Sequence, residues 1–295
     1  FLLAPRQQGA LLAGETGATA RHVNMRDIRR LPLLGLPDLD VQQRTGAFLA
    51  AYDDLIVTNE RRIALLERSA RLWFSEWFVH LRYPGHEHNK VVDGVPEGWA
   101  QARVDSVCQE FIDGDWLESK DQGGNDLRIL QISNIGVNAF VETGNSRYIT
   151  EDTLRRLNCN EVVPGDILIS RMPEPIGRAW LVTKQPWRMV TAVDVTIARP
   201  NPEKVNVYFL LHYLNSAGHL ARCAAGATGA THPRIAKRVM GALPILLPTR
   251  SLQDEFGSVA AAVNEMKDRL MKQGDALARA RDLLLPRLMD GRVAV

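Results

Sequence analysis

Apolar residues recur at alternating steps of three and four along two long stretches of this chain. The first stripe runs through Leu49, Tyr52, Ile56, Asn59, Ile63, Leu66, Ala70, Trp73 and Trp77. The second runs through Phe256, Val259, Val263, Met266, Leu270, Gln273, Leu277, Ala280 and Leu284. This spacing lays each stripe along one side of a helix and is the pattern of a coiled-coil seam. Each stripe holds one polar member, Asn59 or Gln273, of the kind that fixes register at some cost in stability. A helix of about 35 residues is on the order of 50 Å long. Two such helices with matching seams are expected to pack antiparallel against one another as a spacer.

The pattern between them is different. Residues 81–94 are rich in glycine, proline and charge and read as a connector. From Val95 onward, strand-like runs alternate with turns: "DLRILQISNIG", "GDILISR", "GRAWLVT" and "MVTAVDVTIARP". A helical stretch, "VYFLLHYLNSAGHLARCAAG", follows. The expected fold class is therefore α+β, a mixed α/β domain flanked by two long helices.

A repeat links the two halves of this plan. "GETGATA" at 14–20 is echoed by "GATGATH" at 226–232, and each is followed by a proline-punctuated segment, Leu31-Pro32 to Leu36-Pro37 and Leu243-Pro244 to Leu247-Pro248. A stripe of helical spacing then follows each copy. The glycine–threonine phrases carry cations and hydroxyls: Thr16, Thr19 and Arg21 in the first copy, Thr231, His232, Arg234 and Lys237 in the second. Two readings stay open. Glycines allow close backbone approach to a phosphate, with hydroxyls and cations completing the contact; or they only cap a helix ahead of the proline segment.

Composition narrows the field without deciding it. The 295 residues carry a formal charge of only +2, which permits a nucleic-acid partner but does not require one. The three cysteines are scattered and form no CxxC pair, as expected of reduced thiols in a cytoplasmic protein. No apolar run reaches the ~20 residues of a membrane-spanning helix, so no membrane association is expected. There is no GxxxxGK[ST] phrase for a nucleotide-driven motor and no NPP[FY]-like phrase for a self-contained methyltransferase. His86-Glu87-His88 lacks metal-ligand spacing. No catalysis, cofactor or metal is expected of this chain.

Several phrases together resemble the DNA-specificity subunits of type I restriction–modification systems. They are "VPEGW" at 95–99, "GDILISR" with the following Gly177-Arg178, "DVTIARPNPEKVNVYFLLHYLNS" at 194–216, the glycine–threonine phrase with "ALPILLP", and the helix "ERRIALLERSARLWFSEWFVHLRYPGHE". The resemblance implies the tail of a first target-recognition domain at 1–40, a spacer helix at 41–80, a connector at 81–94, a complete recognition domain at 95–248 and a second spacer helix at 249–295. It implies a C-terminal portion of such a subunit or, alternatively, a half-length subunit that self-associates. The partners implied are double-stranded DNA, methyltransferase (modification) subunits and a restriction/translocase subunit.

Reading a duplex takes side chains that reach base edges and cations that hold the phosphate backbone. The loops of the recognition domain offer Lys120, Asn125, Arg128, Gln131, Asn134, Arg147, Tyr148, Arg171 and Arg178. The second glycine–threonine phrase adds Thr231, His232, Arg234 and Lys237. Trp73, Phe74, Trp77 and Phe78 are more aromatic surface than one seam uses. They either pack a core or form a docking face for a methyltransferase subunit.

Overall fold

The computed structural model describes residues 5–13, 22–31 and 38–289. The first glycine–threonine phrase, with Thr16, Thr19 and Arg21, and the prolines Pro32 and Pro37 lie outside the described residues. Two compact units are present. One comprises the chain up to Glu67 together with the chain from Asn264, and the other comprises Arg68–Val263.

The first unit is helical. Leu39–Phe74 forms one helix and Arg250–Met289 another, and this unit holds the N-terminal part of the former and the C-terminal part of the latter. Neither contains proline in its first eight turns, so the backbone ladder runs without a missing donor. Val41, Leu49, Tyr52, Ile56, Ile63 and Leu66 are half-buried and Asn59 is buried, following the three-four spacing. The pairing is antiparallel: Asp53 meets Arg281, Asn59 meets Gln273 and Glu67 meets Lys267, so partners descend on one helix as they ascend on the other. Asn59 Nδ2 donates to Gln273 Oε1 at 3.3 Å, so the two polar seam residues face each other.

Three expected seam residues are exposed: Gln273, Met266 and Trp73. Met266 is exposed, and the neighbouring Lys267 is buried instead, its Nζ 2.5 Å from Glu67 Oε1. A lysine stem can line an apolar seam when a carboxylate meets its ammonium. Trp73 is likewise exposed, and Phe74 takes the buried place.

The second unit carries the sheets. A four-stranded antiparallel sheet has the order Cys108–Asp113, Val195–Pro200, Ile167–Ser170, Ala179–Leu181. A three-stranded sheet has the order Arg147–Ile149, Leu127–Leu130, Arg188–Thr191, with the second pair parallel. Ala100–Arg103 pairs with Pro244–Leu247, joining the start of the domain to its end. The strand runs at 167–170 and 127–130 are buried at every position rather than on alternate ones, apolar except for Ser170 and Arg128.

The main core lies between the four-stranded sheet and helices. Helix Val207–Leu214 is capped by Asn206, whose side chain accepts from Tyr208 N and Phe209 N. Phe209 and Phe256 each pack on Phe74 and Phe78, ring centroids 4.9–5.7 Å apart. After Phe74 the helix loosens into one π-turn, Ser75–Val79, closed by His80 N donating to Ser75 O. Gly257 makes a close approach possible here: a Cβ at that position would stand 2.4 Å from the Asn206 side chain.

The aromatic set therefore has a structural place. Phe74 and Trp77 are buried, and Phe78 packs on the same cluster beside Trp99. Of the four residues offered as a docking face, Trp73 alone is exposed. Phe74, the last residue of the α-helix, and Trp77 and Phe78 in the π-turn all join the core cluster.

Candidate nucleic-acid interface

Four of the polar residues expected to reach a ligand are buried: Arg128, Asn134, Arg171 and Arg178. A buried guanidinium must be hydrogen-bonded or paired, because removal from water is expensive. Each of the four meets that demand by tying loops together.

Arg178 donates to four carbonyls, those of Ile132, Ile135, Met172 and Pro175, at 2.7, 2.5, 2.8 and 3.1 Å. It thereby joins the loop at 172–175 to the segment at 132–135. Burial lowers its pKa from the usual arginine value, but with four acceptors it stays a cation. Asn134 continues the series. Its Oδ1 accepts from Gln131 N, and its Nδ2 donates to Val141 O at 3.0 Å. Arg128 lies beyond it, donating to both oxygens of Glu142 at 2.8 and 2.6 Å. Its guanidinium also sits 5.3 Å from the Phe140 ring centre and 4.8 Å from that of Trp187. The Arg128 hydrogen bonds hold the Glu142 carboxyl below its usual pKa.

Arg171 belongs to an ion cluster. Its Nη2 donates to Val193 O, and Asp113 and Asp194 stand 3.4 and 3.5 Å from it. The same two carboxylates hold the second glycine–threonine phrase: Arg234 Nε is 2.7 Å from Asp194 and Lys237 Nζ 3.7 Å from Asp113. Ile235 N donates to Arg171 O, so backbone as well as charge anchors that phrase. Gly114, beside Asp113, is required by close packing, since a Cβ there would lie 2.2 Å from Ala192 O.

The remaining expected residues lie nearer the surface. Lys120 is exposed and pairs with Glu118 at 2.8 Å. Asn125 is exposed beside two glycines. Gln131 is half-buried and caps the short turn at Ile132–Asn134. Tyr148 is half-buried, and Arg147 is exposed and makes no ion pair among the described residues. Thr231 and His232 are exposed at the tip of the phrase, between the paired Ala227–Thr228 and Arg234–Ile235. The structure thus separates the expected set into buried pins and exposed tips. The four pins are buried and turn most of their donors into the chain, while Arg128 Nε and Arg171 Nε find no hydrogen-bond acceptor among the described residues.

Sequence reasoning missed the pins' partners: Glu142, Phe140 and Trp187 around Arg128, and Asp113 and Asp194 around Arg171. Only the mixed acid–base content of the loops hinted at them. It also missed a buried pair, His219 Nε2 and Cys223 Sγ, 3.3 Å apart. Among the described residues no group of three or more His, Cys, Asp or Glu side chains could hold a metal ion, and no helix is long and apolar enough to cross a membrane.

No protein-family model matches the chain. Curated relatives from Methanocaldococcus jannaschii do, among them the type I restriction enzyme MjaVIII specificity subunit, 21% identical over 267 residues, and the MjaIX specificity subunit, 22% identical over 268 residues. Each alignment covers 88% of this chain; the chain spans about three-fifths of those relatives, 62% and 60% of their lengths. Among solved structures, a type I restriction–modification system S subunit from M. genitalium matches with a TM-score of 0.54 at 16% identity, covering 96% of this chain and 69% of that one. Along most of its length the chain is thus similar in sequence to type I restriction-enzyme specificity subunits, and its fold is similar to that of the M. genitalium S subunit.

Proposed function

We propose that the chain is a non-catalytic DNA-reading subunit of a type I restriction–modification complex. Its second unit reads one half of a two-part duplex target, and its long helices serve as a spacer and as a scaffold for methyltransferase subunits, with a restriction/translocase subunit joining the assembly. The observation that carries this reading is the collinear similarity to named specificity subunits over 88% of the chain. The loop architecture supports it: buried cations fix the loops, and uncharged polar groups and unpaired cations stand at their tips. Tips of that kind suit base edges and phosphates.

The test is to map methylated bases in DNA from cells carrying the intact system, with and without this gene. A two-part methylated motif that disappears with the gene is the expected result. A motif that persists unchanged would refute the assignment, and a chain that alone transfers methyl groups to DNA would refute its non-catalytic part.

A further inference from the structure

The turn after Glu142 is built unlike an ordinary surface loop. Residues 141–147 are all exposed, yet the backbone on both sides is fixed. On the near side, Val141 exchanges two hydrogen bonds with Asn134, one to its carbonyl and one from its side chain. Glu142 is then clamped by both arms of Arg128 and accepts from Gly144 N at 3.2 Å. On the far side, Arg147 enters the three-stranded sheet opposite Ile129. Gly144 takes a φ of +72°, which lets the chain reverse tightly between these anchors.

The residues left over at the apex are Thr143, Asn145 and Ser146, small polar groups. Arg128 is itself almost wholly buried, with its guanidinium against the Phe140 and Trp187 rings, which also pack on each other at 5.5 Å between centroids. Burying a guanidinium at such a place is costly unless it is paired, and here both arms are spent on Glu142. What the clamp supplies is a fixed position for the apex. The one carboxylate of the turn is neutralised by Arg128, while Arg147 and Lys184, at the turn's end and in the loop leading to Trp187, are exposed cations without ion partners among the described residues. The local balance therefore suits a polyanion with hydrogen-bonding edges.

We propose that the turn Thr143–Ser146 is a base-reading element for duplex DNA and that Arg128 is the positioning residue that fixes where it stands. This rests on the DNA-reading function proposed above. Rigid mounting matters because base discrimination depends on bidentate geometry, which a mobile loop does not hold. Asn145 is the member able to bond bidentately to adenine.

The test is selection from a pool of random duplexes by the full-length chain, comparing wild type with Asn145→Ala, Glu142→Gln and Arg128→Lys. Wild type is expected to enrich a defined sequence. Asn145→Ala should relax preference at one or two adjacent base pairs by about tenfold while leaving the salt dependence of binding unchanged. Arg128→Lys keeps the charge but loses the fork and the stacking, and should relax the same positions although it touches no DNA. A merely structural Arg128 would instead weaken binding to all duplexes alike. Asn145 is exposed, so its variant folds even if an Arg128 variant does not. An enriched sequence that is identical in wild type and Asn145→Ala would overturn the inference and leave the DNA-reading function standing. A wild-type chain that enriches nothing would bring down both.

Discussion

At the residue scale, burial decides what a titratable group does here. His219 is fully buried, and desolvation first, then the charge of Arg222, pushes its pKa down from 6.5 to about 3. In the unfolded chain this histidine takes up a proton below about pH 6.5, whereas in the fold it does not. Its contribution to stability is therefore complete above that pH and is lost as pH falls towards 3. The loss approaches about 1.4 kcal/mol per pH unit for one proton. Urea titrations between pH 6.5 and 4.5 should show this slope in wild type and a flatter one in His219→Gln; equal slopes would contradict the assignment. The clamped carboxylates Glu142 and Asp121, both held low by arginine hydrogen bonds, add their losses only at lower pH. Phe74 makes a second case. It contacts Phe78, Phe209, His212 and Phe256 in the main core, so Phe74→Ala should cost about 3–5 kcal/mol, read as a lowered denaturation midpoint. A variant of wild-type stability that had lost only partner capture would restore the docking role. Neither placement was legible in the chain: an arginine or aromatic residue in a loop or seam is written the same way whether it points in or out.

At the element scale, much more was legible. The three-four spacing located both long helices, and the two polar seam residues face each other because the same pattern repeats in both helices. What spacing could not reveal was the buried ion pair one position away. Lys267 was passed over for Met266 because hydropathy scores a lysine by its head and not by its stem. Here Lys267 is almost fully buried and Glu67 about three-quarters buried at their side chains. Removing one partner should strand the other, so Glu67→Ala should destabilise by roughly 2–4 kcal/mol. Replacing both, as Glu67→Leu with Lys267→Leu, should recover most of that loss, since apolar seam residues of similar size need no compensation. Denaturation of the two single variants and the double variant would measure the coupling. Additive effects would show that the pair has no role in the seam.

For the whole molecule, net charge says little and charge placement says more. The formal charge is only +2, and several cations of the second unit are already paired with carboxylates: Lys120 with Glu118, Arg156 with Asp121, Arg188 with Glu161, Arg234 with Asp194. Among the described residues, Arg147, Lys184 and Arg238 are three of the exposed cations of this unit that form no ion pair; Lys90, Arg155, Lys204 and Arg222 are others. Phosphate contacts release counterions, giving a slope of about −0.9 in log affinity against log salt for each. With Arg147, Lys184 and Arg238 engaged, the slope should be about −2.7, which is a loss of about 40-fold between 50 and 200 mM salt. Arg147→Ala should reduce the slope by about one and weaken all duplexes equally, because a phosphate contact carries no sequence information. Lys120→Ala should change it much less, since Glu118 already compensates that charge. A slope near −8 would mean that the internal ion pairs open on binding and free Arg234, Lys237 and their neighbours for phosphate. The static arrangement described here would then be the unbound form of a surface that rearranges on DNA. A slope of zero would leave the second unit without a phosphate-binding surface and the proposed DNA-reading role without physical support.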